Sequence, residues 1–130
     1  MVPQSVRELL ERKARIAVVG ASADPSKYGH IIPRYLERRG YPVLRVNPAH
    51  DRVGEAACHA TVADLPEAPA IVDFVVPPRV ALAVVEGLPD TLDAVLWFQP
   101  GSFDAAVVAA AEARGGVVVA GPCIMVEARD

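Results

Sequence analysis

Five short, Val-rich apolar runs set the strongest limit on what this chain can fold into. They occupy residues 15–19 (RIAVV), 42–46 (PVLRV), 71–76 (IVDFVV), 93–98 (DAVLWF) and 116–120 (GVVVA). Each is nearly continuous instead of alternating. A strand reads that way when both of its faces are covered, as inside a parallel sheet. Segments of helical pattern stand between most of the runs, and such alternation predicts a doubly wound α/β sheet with right-handed crossovers.

The first helix precedes the sheet, with Ser5 and Glu8 as a capping box and Val6, Leu9 and Leu10 as its apolar stripe. The second runs from about His30 to Arg39. Ile31, Ile32, Tyr35 and Leu36 face one way, Pro33 falls in the first turn, where proline is tolerated, and Gly40 ends the helix. The third starts at Pro78, carries Val80, Val84 and Leu88 at four-residue spacing, and stops near Gly87 and Pro89. The fourth is capped by Ser102, has Asp104 in its first turn and ends at Arg114 and Gly115. Residues 49–70 are the least regular; 64–69 read as a loop, and a weak strand or helix is expected near 56–62.

A length of 130 residues fits one domain spanning 1–130, and 52% hydrophobic content excludes a disordered chain. A net charge of −3 leaves no basic excess to grip a phosphate backbone, so a nucleic-acid partner is disfavoured. Cys58 and Cys123 do not make a disulfide framework, which fits a reducing compartment. No apolar run approaches the ~20 residues of a membrane span, and the N-terminal pattern is not that of a signal peptide. A cytoplasmic setting is expected.

Ligands of such sheets bind beyond the carboxyl ends of the strands, where the strand order reverses. The loop after the first strand holds Gly20, Ala21, Ser22, Ala23, Asp24, Pro25, Ser26, Lys27, Tyr28, Gly29 and His30. Gly20 permits a sharp turn. The serine hydroxyls, the free amides at the start of the second helix and the Lys27 charge suit an anion such as a diphosphate. Glycine alone fits a tight turn equally well; the serines and the lysine favour the cradle. The loop is neither G-x-G-x-x-G nor a Walker loop.

The second strand ends at Arg45, Val46, Asn47 and Pro48, with no acid to hold a nicotinamide dinucleotide's ribose. Arg45, His50 and Arg52 read either as cations for a phosphorylated ribose or as ordinary solvated surface. Val76, Pro77 and Pro78 form a rigid wall after the third strand. After the fourth, Gln99 serves either to hydrogen-bond a base or to cap a strand end. His30 touches a phosphate or caps its helix. Cys123 lies on the ligand side, where a mixed disulfide with a thiol cofactor competes with the favoured reading of a buried structural thiol. No metal-ligand spacing, nucleophile elbow or acid/base pair stands out.

One ordered set of residues carries a resemblance. It comprises Val18-Val19-Gly20-Ala21-Ser22, Pro25, Lys27-Tyr28-Gly29-His30, Tyr35-Leu36, Gly40-Tyr41, Val46-Asn47-Pro48, Val72-Asp73, Val76-Pro77, Trp97-Phe98-Gln99-x-Gly101 and Cys123-Ile124. The set resembles the stand-alone CoA-binding domain proteins, which are similar to the N-terminal CoA-binding domain of the succinyl-CoA synthetase α subunit. The resemblance runs from about Arg15 to Glu127. It implies a Rossmann-like three-layer fold, here with a five-stranded, mainly parallel sheet flanked by helices.

It also implies a coenzyme A site. The loop of Gly20, Ala21, Ser22 and Ala23 with Lys27 would meet the diphosphate, and Tyr28, Gly29 and His30 belong to the same cofactor-binding set. Asn47, Pro48 and His50 would lie near the adenosine 3′-phosphate, Val76, Pro77 and Pro78 by the adenine, and Phe98 and Gln99 by the pantetheine arm or base. His50 replaces the lysine usual in synthetase-type domains, and histidine carries its charge less constantly than lysine near neutral pH. The synthetase's phosphorylated histidine belongs to a second domain that the resemblance does not reach. The expectation is a non-catalytic module for CoA or an acyl-CoA. Two alternatives stay open: an NAD(P)-binding oxidoreductase or redox sensor, and a protein-interaction module with a vestigial groove.

Overall fold

A computed structural model describes residues 2–128. Strands β1 (Ile16–Val19), β2 (Val43–Val46), β5 (Ile71–Phe74), β6 (Val95–Phe98) and β7 (Val118–Ala120) coincide with the five apolar runs, each trimmed at its ends. Among the described residues the sheet nevertheless has seven strands; with residues 52–53 as β3 and 56–59 as β4, their order is β3-β4-β2-β1-β5-β6-β7. The two additional strands, β3 (Arg52–Val53) and β4 (Ala56–His59), form an antiparallel hairpin turning at Gly54, and β4 runs parallel to β2. At this edge only Val53 and Cys58 are buried, so the segment lacks the continuous apolar signature of the central strands.

Helices α1 (Gln4–Glu11), α2 (Tyr28–Arg38) and α5 (Ile124–Glu127) cover one face, through Val6, Leu10, Ile32, Leu36 and Ile124 packed on Ile16, Val18, Ile71 and Trp97. Helices α3 (Pro78–Glu86) and α4 (Ala105–Glu112) cover the other, through Ala81, Val85, Val107 and Ala111 against Ala17, Val72, Phe74 and Phe98. No helix among the described residues is long and apolar enough to cross a membrane.

Several local expectations change. Ser5 lies inside α1, and the capping position is Pro3, whose carbonyl accepts from Val6 and Arg7. Ser102 is buried, and Asp104 caps α4 by accepting the Val107 amide at 2.9 Å. Of the spaced residues in the third helix, only Leu88 is buried. Ala81 and Val85 supply the rest of the packed stripe, because the nearly all-apolar sequence allows more than one face. The four-residue helix α5 carried no recognised pattern.

One polar residue breaks the apolar centre. Asp73 in β5 shares its face with Val18 on β1 and Trp97 on β6, and is fully buried. Among the described residues neither carboxyl oxygen has a hydrogen-bond partner. Burial therefore pushes its pKa well above the ordinary carboxylate range. Below about pH 4 the group is protonated in both folded and unfolded chains. As pH rises the unfolded chain releases the proton while the folded chain retains it, so stability is lost until the raised folded value is passed. Thermal melts should therefore show Asp73→Asn gaining on the wild type as pH rises above about 4. A difference that stays constant as pH rises contradicts a neutral buried acid.

Candidate functional site

The sheet's strand order reverses around β1: β2 lies on one side and β5 on the other. The loop between β1 and α2 therefore sits at the opening that parallel sheets use for ligands. Its conformation follows from a few residues. Gly20 has φ of +100°, and a Cβ there would lie 2.5 Å from the Val75 carbonyl oxygen. The Gly20 and Ala21 amides both donate to the Val46 carbonyl, at 2.9 and 3.2 Å. Asn47 adds a second tie, donating from Nδ2 to the Ala21 carbonyl while its Oδ1 accepts from the Ala49 amide, each at 2.8 Å.

The start of α2 is pressed against the same turn. A Cβ at Gly29 would collide with the Gly20 carbonyl oxygen. The helix begins at Tyr28, two residues earlier than expected, so Pro33 lies beyond the first turn. Proline has no N–H for the carbonyl four residues back. That carbonyl belongs to Gly29, and it accepts instead from the Ser22 amide at 3.1 Å. The His30 ring contacts the Ser22 carbonyl through Nδ1 at 3.2 Å, so it braces the turn. Within the loop Asp24 Oδ1 accepts from the Ser26 amide and hydroxyl, and the amide bond is the main cause of its lowered pKa.

These bonds engage most of the loop's amides. Among the described residues the N–H groups of Ala23, Tyr28 and Gly29 have no acceptor. Lys27 occupies the helix-capping position and is exposed, as is Tyr28. The head of α2 thus presents free amide hydrogens, the positive end of the helix dipole and a mobile ammonium group.

Two clefts flank this turn. The first, about 750 Å³, lies on the α3 side, where only the short 3₁₀ turn Val62–Asp64 covers β2. Gly20, Asn47, Pro48 and Val76 line it, together with Val19, Thr61, Val80 and Val84, which the sequence reading did not assign to a site. Val80 and Val84 left a signal: an apolar stripe on a helix whose packed face is a different one. Among the described residues no charged side chain lines this cleft. The second, about 270 Å³, lies on the α2 side and contains Ser22, Ala23 and His30 with Arg34, Glu37 and Arg45.

Arg45 does not reach toward a ribose. Its register puts it on the α2 face, where both guanidinium nitrogens bond Glu37, at 2.9 and 2.8 Å. That bonding is the main reason the Glu37 carboxyl titrates below its usual range. His50 and Arg52 are exposed, Pro77 and Pro78 start α3, and Ala21 is buried between the clefts. Phe98 and Gln99 enter neither cleft. Phe98 stacks on Phe74 in the core with ring centroids 4.5 Å apart. Gln99 is buried, donating to Cys123 Sγ at 3.3 Å and accepting from the Ile124 amide at 3.0 Å. A third hollow, of about 510 Å³, at the opposite edge of the sheet is remote from these loops, and its Arg114 is bonded to the Leu88 and Pro89 carbonyls.

Residues 14–129 match the family described as the CoA binding domain. The chain is 31% identical to YneT of Bacillus subtilis over 124 residues, covering 93% of this chain and 90% of that protein. A solved hypothetical protein from Pyrococcus horikoshii superposes with a TM-score of 0.87 at 34% identity, covering 98% of this chain and 89% of that one. A dinucleotide-forming acetyl-coenzyme A synthetase from Candidatus Korarchaeum cryptofilum, solved with phosphate and ADP, gives a TM-score of 0.67 at 27% identity, covering 86% of this chain and 27% of the synthetase.

The Gly29 contact makes a test with a definite sign. Intrinsic helix propensity favours Ala over Gly by about 1 kcal/mol. Overpacking opposes it, and Gly29→Ala should lose about 1–3 kcal/mol in denaturant unfolding. Gly87→Ala, whose added Cβ meets nothing nearer than 3.5 Å, should be close to neutral. A stabilised Gly29→Ala refutes the contact.

Proposed function

The chain belongs to the CoA-binding domain family, and from that premise we propose that it binds coenzyme A or an acyl-CoA at the carboxyl edge of its sheet, as a binding module without chemistry of its own. The observation that carries this reading is the head of α2. Free amides at Ala23, Tyr28 and Gly29 stand beside the Lys27 ammonium and next to an uncharged cleft. Amides and a cation suit linked phosphates, and an apolar slot suits a flat base. The two glycines keep the turn free of side chains, so a phosphate can approach the backbone closely.

In this reading the diphosphate rests on residues 20–30, with Lys27 as its counter-charge. The adenine enters the cleft between Pro48 and Val76. The 3′-phosphate lies toward the exposed His50, beyond Asn47, whose side chain positions the turn. The pantetheine arm leaves toward the ends of β6 and β7. Phe98 contributes there from beneath, as packing, and Gln99 by holding the 123–124 turn. Arg45 takes no part, since Glu37 holds it on the other face.

Thermal melts with CoA, dephospho-CoA, NAD and NADP test the reading. At ~100 times its dissociation constant a ligand adds about 2.7 kcal/mol of stability. With all four ligands at the one concentration that is ~100 times the dissociation constant of CoA, CoA should produce that shift, dephospho-CoA a smaller one, and the nicotinamide dinucleotides little. A shift with NAD and none with CoA refutes it. Lys27→Ala should weaken CoA binding by roughly 1–3 kcal/mol, the scale of a hydrogen bond to a charged group, and leave the free protein's melting temperature nearly unchanged. A destabilised free protein with unaltered affinity would instead make Lys27 structural.

A further inference from the structure

We infer that Asn47 and Thr61 read the hydrogen-bonding edge of the base, Thr61 as acceptor for adenine's amino group and Asn47 as donor to the ring nitrogen beside it. This deepens the proposed function and rests on its placing of the base in the uncharged cleft. Among the described residues these two are the polar side chains that line the cleft; the rest of its lining is aliphatic or glycine. They follow the ends of adjacent parallel strands. Val46 of β2 pairs with His59 of β4, and the Asn47 amide donates to the His59 carbonyl at 2.9 Å. Asn47 is half-buried and Thr61 is exposed, so neither is sealed off from a ligand.

A neighbour fixes the hydrogen-bonding sense of each side chain. The Thr61 hydroxyl donates its one hydrogen to Asp64 Oδ2 at 2.8 Å, so its oxygen has lone pairs and no hydrogen left for a ligand. The Asn47 amide is oriented by two bonds of 2.8 Å, its oxygen accepting from the Ala49 amide and one Nδ2 hydrogen going to the Ala21 carbonyl. The second Nδ2 hydrogen is left to donate. An acceptor beside a donor is the complement of adenine, which offers N6–H next to the N1 lone pair. It is the wrong pattern for hypoxanthine, where an oxygen replaces the amino group and N1 carries a hydrogen. Lone pair would then face lone pair, and hydrogen would face hydrogen. The two rings have nearly the same outline, so valine walls separate them weakly, whereas matched hydrogen bonds reject the wrong ring strongly. Asp64 acts through Thr61, as a positioning residue: without its carboxylate the hydroxyl is free to turn and donate.

The test compares CoA with its hypoxanthine analogue, which keeps the ring outline, every phosphate and the pantetheine arm. Calorimetric dissociation constants in one buffer should favour CoA by at least about tenfold, the effect of two mismatched hydrogen bonds. Thr61→Val should lower that ratio by at least about threefold, Asp64→Ala should lower it too, and Thr61→Ser should keep it. A smaller wild-type ratio overturns the inference. So does a ratio that survives Thr61→Val or Asp64→Ala, even where CoA affinity itself falls, because the two residues would then only shape the 3₁₀ turn. A Thr61→Ser variant that behaves like Thr61→Val overturns it as well. CoA binding would survive each of these outcomes, so the proposed function would stand. Binding of neither ligand to the wild type overturns both.

Discussion

The contact on which the rest of this structure depends is a backbone meeting a backbone, where the first turn of α2 lies on the carbonyl of Gly20. No side chain fits between them. Gly20 also abuts the Val75 carbonyl from the other side, so β1, β5 and α2 converge on one peptide unit. Pro33 completes the arrangement by withholding an N–H from the Gly29 carbonyl, which frees that oxygen for Ser22. The turn is therefore held by main-chain bonds, with the polar side chains of Asn47, Asp24 and His30 as braces. Most of the loop's serine, histidine and aspartate chemistry serves its shape. What remains for a ligand is a few amides and one lysine.

The clefts follow from how the sheet is covered. On one face three helices close over β1, β5 and β6. On the other, α3 and α4 leave β2 to a single 3₁₀ turn, and the strand ends at Val19 and Val46 form the floor of the apolar cleft. Val80 and Val84 belong to that cleft because α3 packs through Ala81 and Val85 one position further on. Charge is partitioned in the same way. The row that crosses the sheet through Arg45, Val18, Asp73 and Trp97 faces α2 and α5, so Arg45 finds Glu37 and Asp73 finds no partner among the described residues. A buried, unpaired carboxyl in a central strand costs stability. Its neutral form is the one compatible with that position.

The central strands were legible because burial on both faces leaves a continuous apolar run, and all five runs became strands. At the edge only a weak strand or helix near 56–62 was readable, and β4 lies there; β3, with two residues in all, left no run to read. Helix existence was readable from periodicity, but helix faces and caps were less so. In a segment as apolar as residues 78–88 several faces satisfy the pattern, and capping depends on backbone angles that Ser5 and Ser102 do not reveal. The phosphate-loop candidates lie where the strand-end rule placed them. Phe98 and Gln99 satisfied the same rule, yet one faces the α3–α4 core and the other a turn 24 residues further along the chain.

By itself the sequence determined the five central strands with helices between most of them, the two-sided burial of the sheet and the glycine turn at Gly20. These are properties of single residues and short periods, set by solvent exclusion and backbone sterics. Tertiary structure alone decided which groups Arg45, Asn47 and Gln99 engage, that Asp73 finds no partner among the described residues, and that a valine stripe lines a cleft instead of the core. Those outcomes depend on which atoms lie across a strand pair or beneath a helix. Hydrophobicity records that a residue is covered, and carries no information about what covers it.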